Sequence, residues 1–128
     1  MQKNHLAAVM LAALFLVYSC GKKGNTPNPP PNPVPGCAAG NGPANGSFVT
    51  STSVTLSWNS VGTASAYDIY LGTTAIPTTV IAANVTGTST TYTIPATPNT
   101  TYYWYALPKN YGGSATGCTG TVQSFTYI

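Results

Sequence analysis

The 128-residue sequence contains no arginine, no glutamate and a single aspartate, Asp68. Its only histidine, His5, lies close to the N-terminus. Charged residues make up 4% of the chain, against about 25% in ordinary soluble proteins. These absences remove most acid–base and nucleophilic chemistry, because no carboxylate pair, imidazole base or arginine clamp exists beyond residue 5. No enzyme, no metal centre and no cofactor is expected. The four lysines are Lys3, Lys22, Lys23 and Lys109. They form no basic stripe that could track a phosphate backbone, which excludes nucleic acid as a partner. Solubility therefore falls to hydroxyl and amide side chains.

What is present begins with an export signal. Met1–His5 is short and polar, and Leu6–Tyr18 is an unbroken apolar run of 13 residues. A spanning helix needs roughly 18 or more, so the run fits the apolar region of a secretory signal instead. It ends in Val17-Tyr18-Ser19-Cys20. This resembles the bacterial lipobox, with an aliphatic residue, then a small one, then cysteine. The departure is Tyr18, bulkier than usual. The resemblance implies a signal peptide over residues 1–19 and lipidation of Cys20, with palmitate-type acyl chains holding the chain on a bilayer. Gly21 rather than Asp follows the cysteine, which by resemblance to Gram-negative sorting signals points to the outer membrane. The membrane is thus an expected partner. Three cysteines are an odd set in an exported chain, and lipidation of Cys20 leaves two for one bridge.

Gly21–Pro35 (GKKGNTPNPPPNPVP) carries six prolines and little that could join a core. Such composition favours polyproline II; residues 20–42 read as a tether, and the 16 residues between Cys20 and Cys37 could hold a domain up to about 50 Å from the lipid. Beyond it the pattern changes to short alternating stretches divided by Gly, Pro and Asn. SVTLSW (Ser53–Trp58) places Val54, Leu56 and Trp58 on one face, and AYDIYLG (Ala66–Gly72) places Tyr67, Ile69 and Leu71 inward. Thr78–Val85 reads as an edge strand, and Thr90–Ile94 turns Tyr92 and Ile94 inward. TTYYWYALP (Thr100–Pro108) separates Tyr102, Trp104 and Ala106 from Tyr103, Tyr105 and Leu107. Thr121–Ile128 closes the chain with Phe125 and Tyr127 inward, and a short strand is expected near Ala44–Val49. No segment shows a helical period. The reading is an all-β sandwich of seven strands.

The stretch from Pro43 to Ile128 resembles a fibronectin type III domain, an immunoglobulin-like sandwich. The residues that carry this are Pro43, Trp58, the YDIYLGT run (Tyr67–Thr73), Pro98-Asn99-Thr100-Thr101-Tyr102, and Asn110 and Gly113 in the last loop. The wording of NTTYYW and SATGC is particularly similar to fibronectin-like domains of surface proteins from the Bacteroidetes group. The resemblance implies a domain over residues 43–128. In it Trp58 and Trp104 fill the core, and Tyr102 forms a tyrosine corner with upstream backbone. Two departures are Ala96, where the family has leucine, and Pro108, which suggests that a ladder ends there. In such a sandwich Cys37 and Cys118 lie at ends that can approach, and an exported chain permits their disulfide. A metal-binding pair is the rival, but no histidine or carboxylate stands near either cysteine.

Outward Tyr70, Tyr103 and Tyr105 should share one solvent face, with Tyr111 near its edge. Such a face could bind a glycan or protein ligand, although cross-strand tyrosines also simply stabilise sheets. Asp68 reads as a surface residue without a partner. Asn45, Asn84 and Asn99 begin Asn-x-Ser/Thr triplets, and are read as turn and strand chemistry. The functional expectation is a non-catalytic surface lipoprotein presenting its domain as an interaction, adhesion or spacer module. The alternative is a carbohydrate-binding accessory lipoprotein using the tyrosines.

Overall fold

The computed structural model describes residues 31–128. The expected signal peptide, Cys20 and the tether as far as residue 30 lie outside them. Nine strands follow in order: β1 (Gly40–Gly42), β2 (Ser47–Val49), β3 (Ser53–Trp58), β4 (Ala66–Gly72), β5 (Val80–Val85), β6 (Ser89–Thr93), β7 (Thr100–Asn110), β8 (Gly113–Ser114) and β9 (Gln123–Tyr127). A 3-10 turn spans Cys118–Thr121. One sheet has the order β1-β3-β6, and the other runs β2-β9-β7-β4-β5 with β8 paired to β7. All pairings are antiparallel except β2 beside β9. Each of the seven expected strands has a counterpart, and the short β1 and β8 are added. β1 and β2 lie in different sheets on either side of Pro43, which has no N–H to contribute to a ladder.

Period-two alternation determines which side chains meet between the sheets. Val54, Leu56 and Trp58 come from β3, Tyr67, Ile69 and Leu71 from β4, Tyr102, Trp104 and Ala106 from β7, and Phe125 from β9; all are buried. Ile94 and Ala38 complete the cluster, while Tyr92 and Tyr127 are partly buried against it. The two indoles meet at 6.5 Å in a tilted arrangement, and Trp58 also packs on Tyr67 at 5.5 Å, separations favourable for aromatic pairs. Neither indole N–H has an acceptor among the described residues. The Tyr102 hydroxyl donates to the Pro95 carbonyl at 3.4 Å, closing the expected corner upstream. The Tyr67 hydroxyl accepts from the Val61 amide at 2.9 Å, tying the β3–β4 loop to the core.

Pro108 corrects an expectation. The β4–β7 ladder does not stop there, for Tyr67 pairs with Pro108 and Ala66 with Lys109. In an extended chain a residue's N–H and C=O point to the same side. The Pro108 carbonyl accepts from the Ala115 amide at 2.8 Å, on the side away from β4. The missing donor thus faces away from β4, and that ladder loses nothing. Of the three asparagines, Asn84 and Asn99 are local backbone devices as expected, whereas Asn45 bonds to the distant β9 strand. Asn84 and Asn99 adopt φ of 56° and 58°, the left-handed region that asparagine tolerates. The Asn45 side-chain oxygen accepts from the Ser124 amide at 2.8 Å.

Candidate functional site

The outer face of the larger sheet carries the aromatic cluster. Tyr70 on β4 and Tyr105 on β7 are register partners. Their rings lie parallel within 3°, with centroids 4.8 Å apart. That distance equals the spacing of adjacent strands, so both rings stand upright from the sheet, each covering one face of the other. Burial, and secondarily the neighbouring Tyr70, raise the Tyr105 phenol above its ordinary pKa. Tyr103 shares the face two residues along β7, opposite Gly72. Tyr111 does not join them. It sits in the β7–β8 turn, 99% exposed, about 20 Å along the strand direction from Tyr105 at roughly 3.3 Å per residue.

Beside Tyr105 lies a shallow groove of about 250 Å³, lined by Tyr105, Leu107, Ala115, Gly117, Cys118 and Thr119. Alternation in the sequence marks Tyr105 and Leu107 as outward but gives no sign of this groove. Its far wall belongs to the irregular β8–β9 connection, whose path is set by the Ala115–Pro108 hydrogen bond and by a disulfide. That disulfide joins Cys37 to Cys118 as expected, with the Cα atoms 5.4 Å apart.

The disulfide fastens a segment that reads as free tether in the sequence. The Asn110 side-chain amide donates to the Pro33 carbonyl at 2.7 Å and to the Thr63 carbonyl at 2.9 Å. Its oxygen accepts from the Gly112 amide at 2.7 Å, an Asx turn. One side chain therefore ties together the proline-rich strap, the β3–β4 loop and the β7–β8 hairpin. A Cβ at Gly112 would fall on the Asn32 carbonyl, so only glycine lets the strap approach so closely. The Asn-x-Gly spacing was the available sequence signal for the turn, but not for its strap contact.

Asp68 has partners, contrary to expectation. Lys109 lies 2.7 Å away, and the Asn84 amide donates to the same carboxylate at 2.9 Å. Partial burial pushes this carboxyl up. The Lys109 hydrogen bond, the Asn84 amide and the attraction of the ammonium outweigh that and hold it below the usual range. The Asn84 contact could not be read from sequence because it depends on a bulge in β5, where the register shifts between Tyr67 and Ile69, and the Lys109 contact depends on the β4–β7 register, which sets Lys109 opposite Ala66. No group of three or more metal-ligating side chains occurs among the described residues.

Comparison with known proteins bears on the fold. The structure matches a crystal structure of an Fn3-like protein from Clostridium thermocellum with a TM-score of 0.54 and 22% identity, covering 77% of this chain and 95% of that one. It also matches a mutant of a protein designated FN3tt with a TM-score of 0.46 and 21% identity, covering 73% of this chain and 94% of that one. The fold is thus an all-β sandwich of the fibronectin type III kind. No protein-family profile matches the chain, and no curated protein sequence matches it.

Proposed function

We propose that this chain is a non-catalytic bacterial lipoprotein, held on the outer membrane through acylated Cys20. It presents one fibronectin-like sandwich as an interaction, adhesion or spacer module. The observation that carries the reading is the Cys37–Cys118 disulfide. It takes up two of the three cysteines and leaves Cys20, at the end of the 13-residue apolar run, for the anchor. Sandwiches of this kind host many unrelated roles, so the proposal rests on the anchor and on the site rather than on the fold. Metabolic palmitate labelling should mark the wild type and not Cys20→Ala, which should also leave the membrane fraction. An unlabelled wild type, or a Cys20→Ala variant that fractionates like its parent, overturns the reading.

A further inference from the structure

We infer that the groove beside Tyr105 takes one ring of a neutral polysaccharide; this rests on the domain being an interaction module. The upright stack leaves Tyr105 with one face against Tyr70. Tyr105 lines the groove and Tyr70 does not, so the other face of Tyr105 forms one wall. Leu107 and Ala115 supply apolar surface beside it. Such surface suits the C–H face of a pyranose, the part of a sugar that loses least on leaving water.

The opposite rim is backbone and hydroxyl. Gly117 has φ of 71°, and a Cβ there would meet nothing, so the rim is open at that point. Thr119 is exposed beside it, providing a hydroxyl that donates and accepts towards equatorial sugar hydroxyls. No charged side chain lines the groove. The only acidic side chain, Asp68, is already neutralised by Lys109 at 2.7 Å. A charged ligand would find no counterion here, whereas an uncharged sugar needs none. The volume, about 250 Å³, lies below the roughly 300–1,000 Å³ of sites that enclose drug-sized molecules. It suits one ring, with the rest of the polymer running out over the Tyr103 side of the sheet.

The test is a titration of the full disulfide-bonded chain with cellohexaose, xylohexaose, laminarihexaose, mannohexaose and chitohexaose, followed by backbone amide NMR shifts. At least one sugar should move the Leu107, Ala115, Gly117 and Thr119 amides together. Tyr105→Ala should weaken that binding tenfold or more. Thr119→Trp, made at an exposed position, should plug the groove to the same extent. Tyr111→Ala should change nothing. Failure of all five sugars, shifts elsewhere on the domain, or binding untouched by both groove variants overturns the inference. So do concentration-dependent shifts of the same amides without sugar, which would give the groove to a second copy of the chain. Failure here with Cys20-dependent labelling intact sinks only this inference, while sugar binding by an unlabelled chain sinks only the anchoring.

Discussion

Breaking the Cys37–Cys118 bridge gives the largest effect expected of any small covalent change in this domain. The bridge spans a sequence separation of 81. The chain-entropy relation gives about 15 cal/mol/K for a loop of that length, or about 4.5 kcal/mol at 25 °C. The effect should arise in the unfolded chain. In the native state the strap keeps its Asn110 bond to Pro33 and the burial of Ala38 whether or not the sulfurs are joined. A domain of this size has about 5–15 kcal/mol in total, and each kcal/mol moves its melting point by about 4–8 °C. Reduced protein, or Cys37→Ala with Cys118→Ala, should therefore melt roughly 20–35 °C below the oxidised wild type. Trp58 and Trp104 are both buried, so guanidinium titration followed by tryptophan fluorescence reads the loss directly. The reduced form is the cleaner comparison, because it leaves both sulfurs packed. A difference below about 1 kcal/mol between oxidised and reduced forms would refute the reasoning, since it would mean that the unfolded ensemble gains little freedom from opening the loop.

Asp68→Asn should cost about 1 kcal/mol at neutral pH, the upper end for a partly exposed ion pair. Because the folded carboxyl is held below the usual range, its contribution is complete above the ordinary carboxylate value near 4 and is lost as pH falls through the folded value. The gap between wild-type and variant urea midpoints should be full above about pH 4 and shrink progressively as the pH falls below it, and a constant gap would contradict the ion-pair account. Asn110→Ala removes two bonds to carbonyls and one Asx turn. It should cost about 1–2 kcal/mol and speed amide exchange at Gly112, whereas unchanged exchange would contradict the Asx turn as a restraint on the hairpin. Tyr105 should ionise late in an alkaline ultraviolet titration, with the wild-type minus Tyr105→Phe difference centred above pH 10.0. Since the folded phenol keeps its proton when the unfolded one has lost it, its contribution to stability is full below that pH and falls above it. A difference centred at or below that value would contradict burial of the ring by Tyr70 and the sheet.

Strand identity and core faces were legible because they are local. Val54, Leu56 and Trp58 alternate with Thr55 and Ser57 within six residues, and only one assignment buries all three. The corner tyrosine and the cysteine pair were legible through resemblance to a known sandwich. What escaped depends on register between distant segments. Asp68 finds Asn84 only because β5 inserts an extra residue opposite it, and no period in either strand announces a bulge. Pro108 looked like a terminator because a proline's missing donor is visible in sequence, whereas the side of the strand it faces is not. Asn110 reaches Pro33 across 77 residues, so a strap made of linker-like residues becomes part of the folded unit. The Tyr70–Tyr105 stack followed from strand adjacency, but the groove beside it is walled by an irregular segment with no repeat to read.

The placement of the Asp68–Lys109 ion pair connects the charge-poor composition to the fold. Proteins commonly guard exposed sheet edges with lysine and other charged side chains, bulges or very short strands. This chain has few charges to use, and its two edges in the larger sheet are protected by shape. β2 has three residues, and β5 shifts register twice against β4. Each bulge disrupts the regular row of donors and acceptors that another strand would need. At the shift between Tyr67 and Ile69, Asn84 takes a left-handed conformation, and the Asp68 carboxylate holds its amide. Lys109, from the next strand over, supplies the counter-charge. The only carboxylate side chain in the sequence is therefore committed to fixing an edge bulge. That leaves the neighbouring tyrosine face without net charge, the condition under which an uncharged ligand competes best for it.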